Sequence, residues 1–505
     1  MNKLIVGLGL AALAFTFIMF VPHEWLFSQG VESDFYTTYI PQAQEIARRF
    51  NPSDTTHYAH FDDHAWSYHG EAYPTMLYLV GLLFPQNQPV RGYHFFHAAR
   101  IISAVSASSL FLLIVLVFGV EYGLVISVLM AMIFPLAQYS YSVGTDMIAA
   151  VLALWAGYFC YKGKWWALVV GIVLMLCIGI RHEYLFIAPV LACWLWITDR
   201  KFLAFFLLPV TLFVLFSYGS WNTYCTVPHK YLMTDGDFDK FPPQMFEQAD
   251  MDTVENYYTL GNDISAKYYP SIFSVVKAAG WRMPKIFFKD FLWSIFYISS
   301  ELALLLAGLL FLPKNSIWKY VLAAVGLHLL AVNLFGVYTE RYFIFDIIIL
   351  GSLLSYGLLQ ATKSKKLLLV LLIFIIVISG KSFATRFDRS LRYDSNNMNY
   401  QEYSGLFETL GKPIPKILSV RSQVAFMNNW DWQMWPKELH DLHAYCMRYG
   451  VDLLLYGGFE KMTRSEWTQK LQDIKLARPE FIALAANPYG ILYLVNNAHP
   501  ADTTR

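Results

Sequence analysis

Along most of this chain, apolar residues come in runs long enough to be helices buried on every side. Such runs fall at about 3–22, 99–118, 122–138, 146–161, 165–180, 184–197, 202–219, 291–312, 318–336, 342–361 and 366–382. The hydrocarbon core of a bilayer takes roughly 20 helical residues to cross. The pattern therefore predicts a polytopic α-helical membrane protein with about eleven transmembrane helices. Run 3–22 is as long as a full span, and no small-residue cleavage pattern follows it, so it reads as a retained first helix rather than a removed signal segment. The long polar connection 23–98 carries two shorter helices. Residues 35–50 place Phe35, Tyr39, Ala43, Ile46, Ala47 and Phe50 on one stripe, with Gln42, Gln44 and Arg48 elsewhere, as an interfacial helix would. Residues 74–84 are too short to span and read as a second interfacial or re-entrant helix. After residue 384 the apolar runs shrink to strand length, at Lys416–Val420, Asp452–Tyr456, Phe481–Ala485 and Ile491–Val495, and alternate with helical stretches near 438–449 and 464–475. That alternation predicts a small α/β domain over 385–505, following a membrane module over 1–384.

Composition agrees. Charged residues make up 15% of the 505, against about 25% in ordinary soluble proteins, and 56% are hydrophobic. A net charge of +1 gives no footprint for nucleic acid. Of the five cysteines, Cys160, Cys177 and Cys193 lie in apolar runs and read as small core residues. Cys225 and Cys446 fall on the same side of the membrane, where a disulfide is one option that spacing does not decide.

Charge also orients the chain. Alternate connections hold Lys162 and Lys164, Arg200 and Lys201, Lys314 and Lys319, then Lys363, Lys365 and Lys366. Short basic loops stay cytoplasmic, which places the N-terminus in the cytoplasm and the α/β domain outside, in a multi-pass protein of the cell (inner) membrane. The outer face then collects Asp34, Asp62, Asp63, Glu71, Asp146, Glu183 and Glu340, together with Arg181, His182 and Arg341. Ionisable groups at membrane depth are costly and mark functional sites. Asp34, just past the first helix, is placed where a lipid-borne substrate and a water-side substrate can meet.

Other clusters are weaker. His57, His60 and His64, with Asp62, Asp63, His69 and Glu71, are metal-ligand types, but no spacing among them matches a closed site; they equally suit a polar loop at a cavity mouth. The sequence requires no cofactor, and a divalent metal is the alternative. Asp235, Asp237 and Asp239 begin like a calcium loop, but Lys240 stands where the turn glycine belongs. The aromatics Trp430, Trp432 and Trp435 suit either a domain core or a sugar-stacking surface.

Five short motifs occur in order: Ser33-Asp34-Phe35-Tyr36 opening the first external loop, Ala99-Arg100-Ile101 starting the second helix, Thr145-Asp146 opening a later one, Arg181-His182-Glu183-Tyr184 after another, and Arg341-Tyr342-Phe343 beginning a late helix. In layout and in these motifs residues 1–382 resemble the C-type membrane glycosyltransferases, in particular the group of protein O-mannosyltransferases and lipid A aminoarabinose transferases. The chain departs from that pattern in having Phe35 where many members carry a second acid, and Glu71-Ala72-Tyr73-Pro74 where they carry a basic residue before proline.

The resemblance implies transfer of a sugar from a polyprenyl-phosphate donor to a lipid, glycan or protein acceptor at the extracytoplasmic face, with inversion at the anomeric carbon. Such a reaction needs a base for the acceptor hydroxyl and positive charge for the departing phosphate. Asp34 is the candidate base; capping of the following helix is its structural alternative. Asp146 is a second catalytic candidate, orienting the acceptor or supporting a basic group. Arg181 and Arg341, with His182, are the candidate phosphate ligands. Asp63, Glu71, Glu183 and Glu340 are supporting or acceptor-binding candidates. A lipid-linked sugar flippase or transporter, an oligosaccharide polymerase or ligase, and a non-catalytic scaffold are the competing readings.

Overall fold

The apolar runs fold as helices, and their breaks decide what the molecule looks like. The computed structural model describes residues 2–20, 35, 39–50, 72–85, 93–141, 143–163, 166–221, 231, 272–314, 317–335, 340–361, 373, 375–381, 384–385, 403, 407–408, 411–412, 414–419, 423–434, 442–457, 480–486 and 490–496. Asp34, Asp62, Asp63, Glu71, His57, His60, His64, His69, Cys225, Trp435, the 235–239 segment and the 464–475 stretch lie outside the described residues.

Helix α1 (Lys3–Phe20) lies along α4 (Tyr93–Phe118), and the absence of a side chain at Gly7 lets Leu112 pack on the α1 backbone. Arg100 closes the far end of α1, its Nη2 donating to the Met19 carbonyl at 2.6 Å. A cation there meets both an orphan carbonyl and the negative end of the helix.

Between them sit α2 (Ile40–Phe50) and α3 (Ala72–Gly81), which pack on each other. The predicted stripe of α2 is only partly right. Phe35, Tyr39, Ala43, Ile46 and Ala47 are buried, but Phe50 is exposed and stacks on Tyr78, ring centroids 5.5 Å apart. Gln42 and Gln44, assigned to a polar side, are buried too. Tyr39 meets Tyr73 of α3 edge-on at 5.0 Å. Thus the early turns of α2 are enclosed by neighbouring elements on more than one face, which a helix lying in the membrane interface would not be.

Two predicted single helices are broken. In place of 122–138 there are α5 (Val120–Ala131) and α6 (Phe134–Tyr141), bent by 86°. Pro135 sits in the first turn of α6 and has no N–H to continue the ladder to the carbonyl of Ala131, so α5 stops there and a new helix starts. In place of 291–312 there are α12 (Arg282–Glu301) and a 3₁₀ segment Ala303–Phe311, bent by 89°; α11 (Ile272–Ala279) precedes them.

The remaining elements are α7 (Asp146–Lys162), α8 (Ala167–Ile180), a 3₁₀ turn His182–Ile187, α9 (Ala188–Asp199), a 3₁₀ turn Arg200–Phe202, α10 (Leu203–Trp221), α13 (Trp318–Phe335), a 3₁₀ turn Glu340–Phe343 and α14 (Ile344–Ala361). Among the described residues, four helices are long and apolar enough to cross a membrane, or six if each bent pair makes one span. The shortfall from about eleven comes from helices such as α7, α8 and α9, of 17, 14 and 12 residues, shorter than the ~20 of a straight crossing.

Residues Glu340–Ala361 are 78% buried across the span window, whereas α1 is 11% buried, so α14 is the bundle's centre and α1 its edge. Gly308 of the Ala303–Phe311 segment and Gly357 of α14 press backbone to backbone, and a side chain on either would strike the other segment's carbonyl. Close approach at small residues is how helices gain contact where lipid removes the hydrophobic drive. Nearer the start of α14, His328 Nδ1 of α13 and Asp346 Oδ2 of α14 are 2.9 Å apart and fully buried, with the His328 ring packed on Tyr184 and Phe345. Cys160 and Cys177 are buried as expected; Cys193 is exposed instead, because α9 turns that face outward.

Beyond the helices lies a five-stranded sheet of order β2-β1-β3-β5-β4, made of β1 (Lys416–Ser419), β2 (Asp431–Met434), β3 (Leu453–Gly457), β4 (Phe481–Ala486) and β5 (Gly490–Val495). β1 is parallel to β2 and β3, while β5 is antiparallel to β3 and β4. Crossovers through α15 (Gln423–Asn428) and α16 (Leu442–Arg448) cover opposite faces. Leu453 and Leu455 pack with the α15 side, Leu454 and Tyr456 with the α16 side, as a strand buried on both faces must. Both helices stop at a residue in the left-handed region, Asn429 (φ 58°) and Gly450 (φ 62°), with bonds reaching back from Trp430 to Ala425 and from Val451 to Cys446. Trp430 and Trp432 belong to this core, and the indole of Trp432 donates to the Ser419 carbonyl at 3.1 Å. Cys446 is buried in the cluster on the α16 side.

Removing one member of the His328–Asp346 pair strands a buried polar partner, which costs roughly 3–5 kcal/mol for a fully buried pair. His328→Leu and Asp346→Leu are each expected to lower the melting temperature of detergent-purified protein sharply, while the double variant recovers most of the loss. Additive losses in the double variant would show that the two side chains do not act as a pair.

Candidate functional site

Four chain segments end together on one side of the bundle. Asp146 is the first residue of α7, where a carboxylate also answers the positive helix end. Arg181 follows α8 in an extended conformation (φ −146°, ψ 115°), so its side chain leaves the helix axis and the chain turns into His182–Ile187. Arg341 and Tyr342 lie in the short turn that feeds α14.

The side chains converge. Arg181 forms a tight ion pair with Asp146 through Nη2 and Oδ1, and a second with Glu183, Nη1 to Oε1 at 3.1 Å. Arg341 Nε lies 4.0 Å from the other oxygen of Asp146. The Tyr342 ring is flanked by both guanidiniums, the Arg181 carbon 4.4 Å and the Arg341 carbon 5.4 Å from its centroid. Such cation–π contacts are worth about 0.5–2 kcal/mol depending on desolvation. Behind Asp146, the Tyr39 hydroxyl is 3.4 Å from Thr145 Oγ1, which ties α2 to the start of α7.

Electrostatically, two guanidiniums face two carboxylates. The Asp146 side chain is only 3% exposed, and those of Arg181 and Arg341 are 12% and 16% exposed. Burial pushes the Glu183 carboxyl up, but Arg181 foremost, helped by a local backbone hydrogen bond and the nearby His328 and His182, leaves it below its ordinary value, so Glu183 is ionised at neutral pH. The arginines are therefore oriented in advance, with planar donor forks held in a mostly dry setting. That arrangement suits an oxyanion such as a phosphate.

Of the residues singled out from the sequence, the fold brings together Asp146, Arg181, Glu183 and Arg341. His182 is half-buried at the start of its turn, and Glu340 is exposed at the start of the next. Asp34, Asp63 and Glu71 lie outside the described residues, although Phe35, directly after Asp34, is buried against Phe96 with centroids 6.3 Å apart. Among the described residues no three His, Cys, Asp or Glu side chains are grouped to hold a metal ion, and His57, His60 and His64 are not among them. Sequence reasoning passed over Tyr342, although it stood inside a quoted motif, and passed over His328 and Asp346, although an acid within an apolar helix is itself a signal. Arg100, also in a quoted motif, serves the end of α1.

No family model matches the chain, and no curated protein does. Solved structures do. ArnT from Cupriavidus metallidurans bound to undecaprenyl phosphate superposes with a TM-score of 0.53 at 10% identity, over 96% of this chain and 97% of that one. The apo state of the same protein gives a TM-score of 0.43 at 11% identity with the same coverage. At such identity the likeness is one of fold, and it runs the length of both chains. This protein therefore shares its overall fold with ArnT.

Proposed function

We propose that this protein is a membrane glycosyltransferase that moves a sugar from a polyprenyl-phosphate donor to an acceptor at the extracytoplasmic face. The observation that carries the reading is the convergence of Arg181 and Arg341 on Asp146, with Tyr342 against both guanidiniums, at one end of the helices, in a chain whose fold matches a protein crystallised with undecaprenyl phosphate. In this mechanism the acceptor hydroxyl loses its proton to a carboxylate and attacks the anomeric carbon. The carbon–oxygen bond to the phosphate breaks on the opposite side, which inverts the centre. The phosphate leaves carrying the bonding electrons, and the guanidiniums of Arg341 and Arg181 stabilise its charge. Asp34 is the proposed base, with Asp63 and Glu71 as the other carboxylates of the same loop. Asp146 is a positioning residue, since its oxygens are turned to the two arginines. Residues 1–384 form the transferase module and 385–505 an extracytoplasmic α/β domain in this reading.

Arg341→Ala is expected to weaken binding of a polyprenyl-phosphate donor by about 1.5–3 kcal/mol, roughly tenfold to a hundredfold in Kd, with Lys restoring only part. Unchanged affinity in both Arg341→Ala and Arg181→Ala would move the phosphate site elsewhere.

Asp34→Asn keeps size and capping ability but removes the base, so turnover is expected to fall about 10²-fold or more with donor binding near normal. Near-normal turnover by folded Asp34→Asn would exclude it as the base.

Orientation has its own test. A cysteine at Ser390, in protein lacking Cys225 and Cys446, is expected to react with a membrane-impermeant thiol reagent on intact cells. Labelling only after lysis would invert the topology.

A further inference from the structure

A second candidate site lies at the opposite end of the same helices. A cavity of about 540 Å³ opens between α1, α4, α7, α9, α13 and α14. Its inner end is made by Ile187 and Phe345, and its mouth by Lys3, Lys162 and Tyr356. From Phe345 to Tyr356 along α14 is roughly 16 Å at 1.5 Å per residue, close to the thickness of one leaflet of a hydrocarbon core of about 30 Å. The walls are mainly aliphatic and aromatic, and no acidic residue is among the described residues that line it. Lys3 and Lys162 are both exposed, and Lys3 reaches over Gly119 just beyond the last turn of α4. The cavity also holds an unmatched polar group: Ser352, one turn inward from Tyr356, is 6% exposed and its buried Oγ has no hydrogen-bond partner.

We infer that this cavity is a binding site for an anionic phospholipid of the leaflet facing the basic helix ends, with one acyl chain inside, the phosphate between Lys3 and Lys162, and Ser352 donating to an ester carbonyl. Apolar walls take the chain, two cations with no lining acid select a negative headgroup, and the stranded hydroxyl lies at the depth where a glycerol ester sits. The occupant is not the sugar donor. Asp146 and Lys162 are the two ends of α7, so the arginine cluster and this mouth are separated by roughly 25 Å of helix, and one phosphate cannot serve both. The inference holds whether or not the protein transfers sugars.

The test is native mass spectrometry and lipid exchange on the full-length protein in detergent, with phosphatidylglycerol, phosphatidylcholine and undecaprenyl phosphate as probes. The wild type is expected to retain phosphatidylglycerol about tenfold over phosphatidylcholine. Lys3→Ala with Lys162→Ala should abolish that preference. Gly157 lines the cavity, and a Cβ added there would meet nothing within 4 Å, so Gly157→Leu should extend into the space and reduce phosphatidylglycerol retention severalfold. An unchanged melting temperature would confirm folding, and Gly157→Ala serves as the smaller control. Equal retention of the two phospholipids by the wild type, full retention in Gly157→Leu, or displacement of phosphatidylglycerol by undecaprenyl phosphate at this cavity would each overturn the proposal.

Discussion

A guanidinium next to hydrocarbon must be paired, and the Asp146–Arg181 ion pair is the contact on which this end of the molecule turns. Asp146 lies at the beginning of one helix and Arg181 just past the end of the next, so the pair pins the α7–α8 hairpin at one face. Arg341 then joins from the turn before α14, and Tyr342 fills the gap between the two positive groups. None of these side chains would hold its place alone, because each is flexible and needs a partner of opposite charge or a ring face in reach. With the cluster closed, the most buried helix of the bundle starts from a fixed point.

That starting point matters for packing below it. Helix α14 is held by contacts of different kinds along its length: the His328–Asp346 pair, the ring of Phe345 tilted against His328 and the glycine contact between Gly308 and Gly357. The first demands one rotational setting of α13 against α14; the last demands close approach on another face of α14. Together they make the centre rigid. At the edge, α1 leans on α4 through Gly7 and is capped by Arg100. The cavity shares a wall with this core, since Phe345 packs on His328 at one side and lines the cavity at the other.

The sheet shows how a small layer is specified with few residues. Its strands alternate between two cores, its helices stop at Asn429 and Gly450, and Asp452 ties two strand starts by accepting from Lys412 Nζ at 2.5 Å and from the Lys416 amide at 3.0 Å. Four of the five strands match runs visible in the sequence. The missed one, β2, is Asp-Trp-Gln-Met at a sheet edge, and so short and mixed a segment carries no period of its own.

What the sequence determined by itself is whatever depends on solvent along the chain. Long apolar runs had to be helices in lipid, since their backbone groups have no other partners there. Asp146, Arg181 and Arg341 flank apolar runs in the sequence, so they fall at helix ends. What only the tertiary structure decided is what depends on distance across the chain. Asp146 and Arg181 are 35 positions apart and Arg341 another 160, and no periodicity says that they meet. The same holds for His328 with Asp346, for the burial of Gln42 and Gln44, and for the two sharp bends, of which only that at Pro135 had a local cause. Local patterns report the environment of each helix; which helices become neighbours is set by the joint packing of all of them.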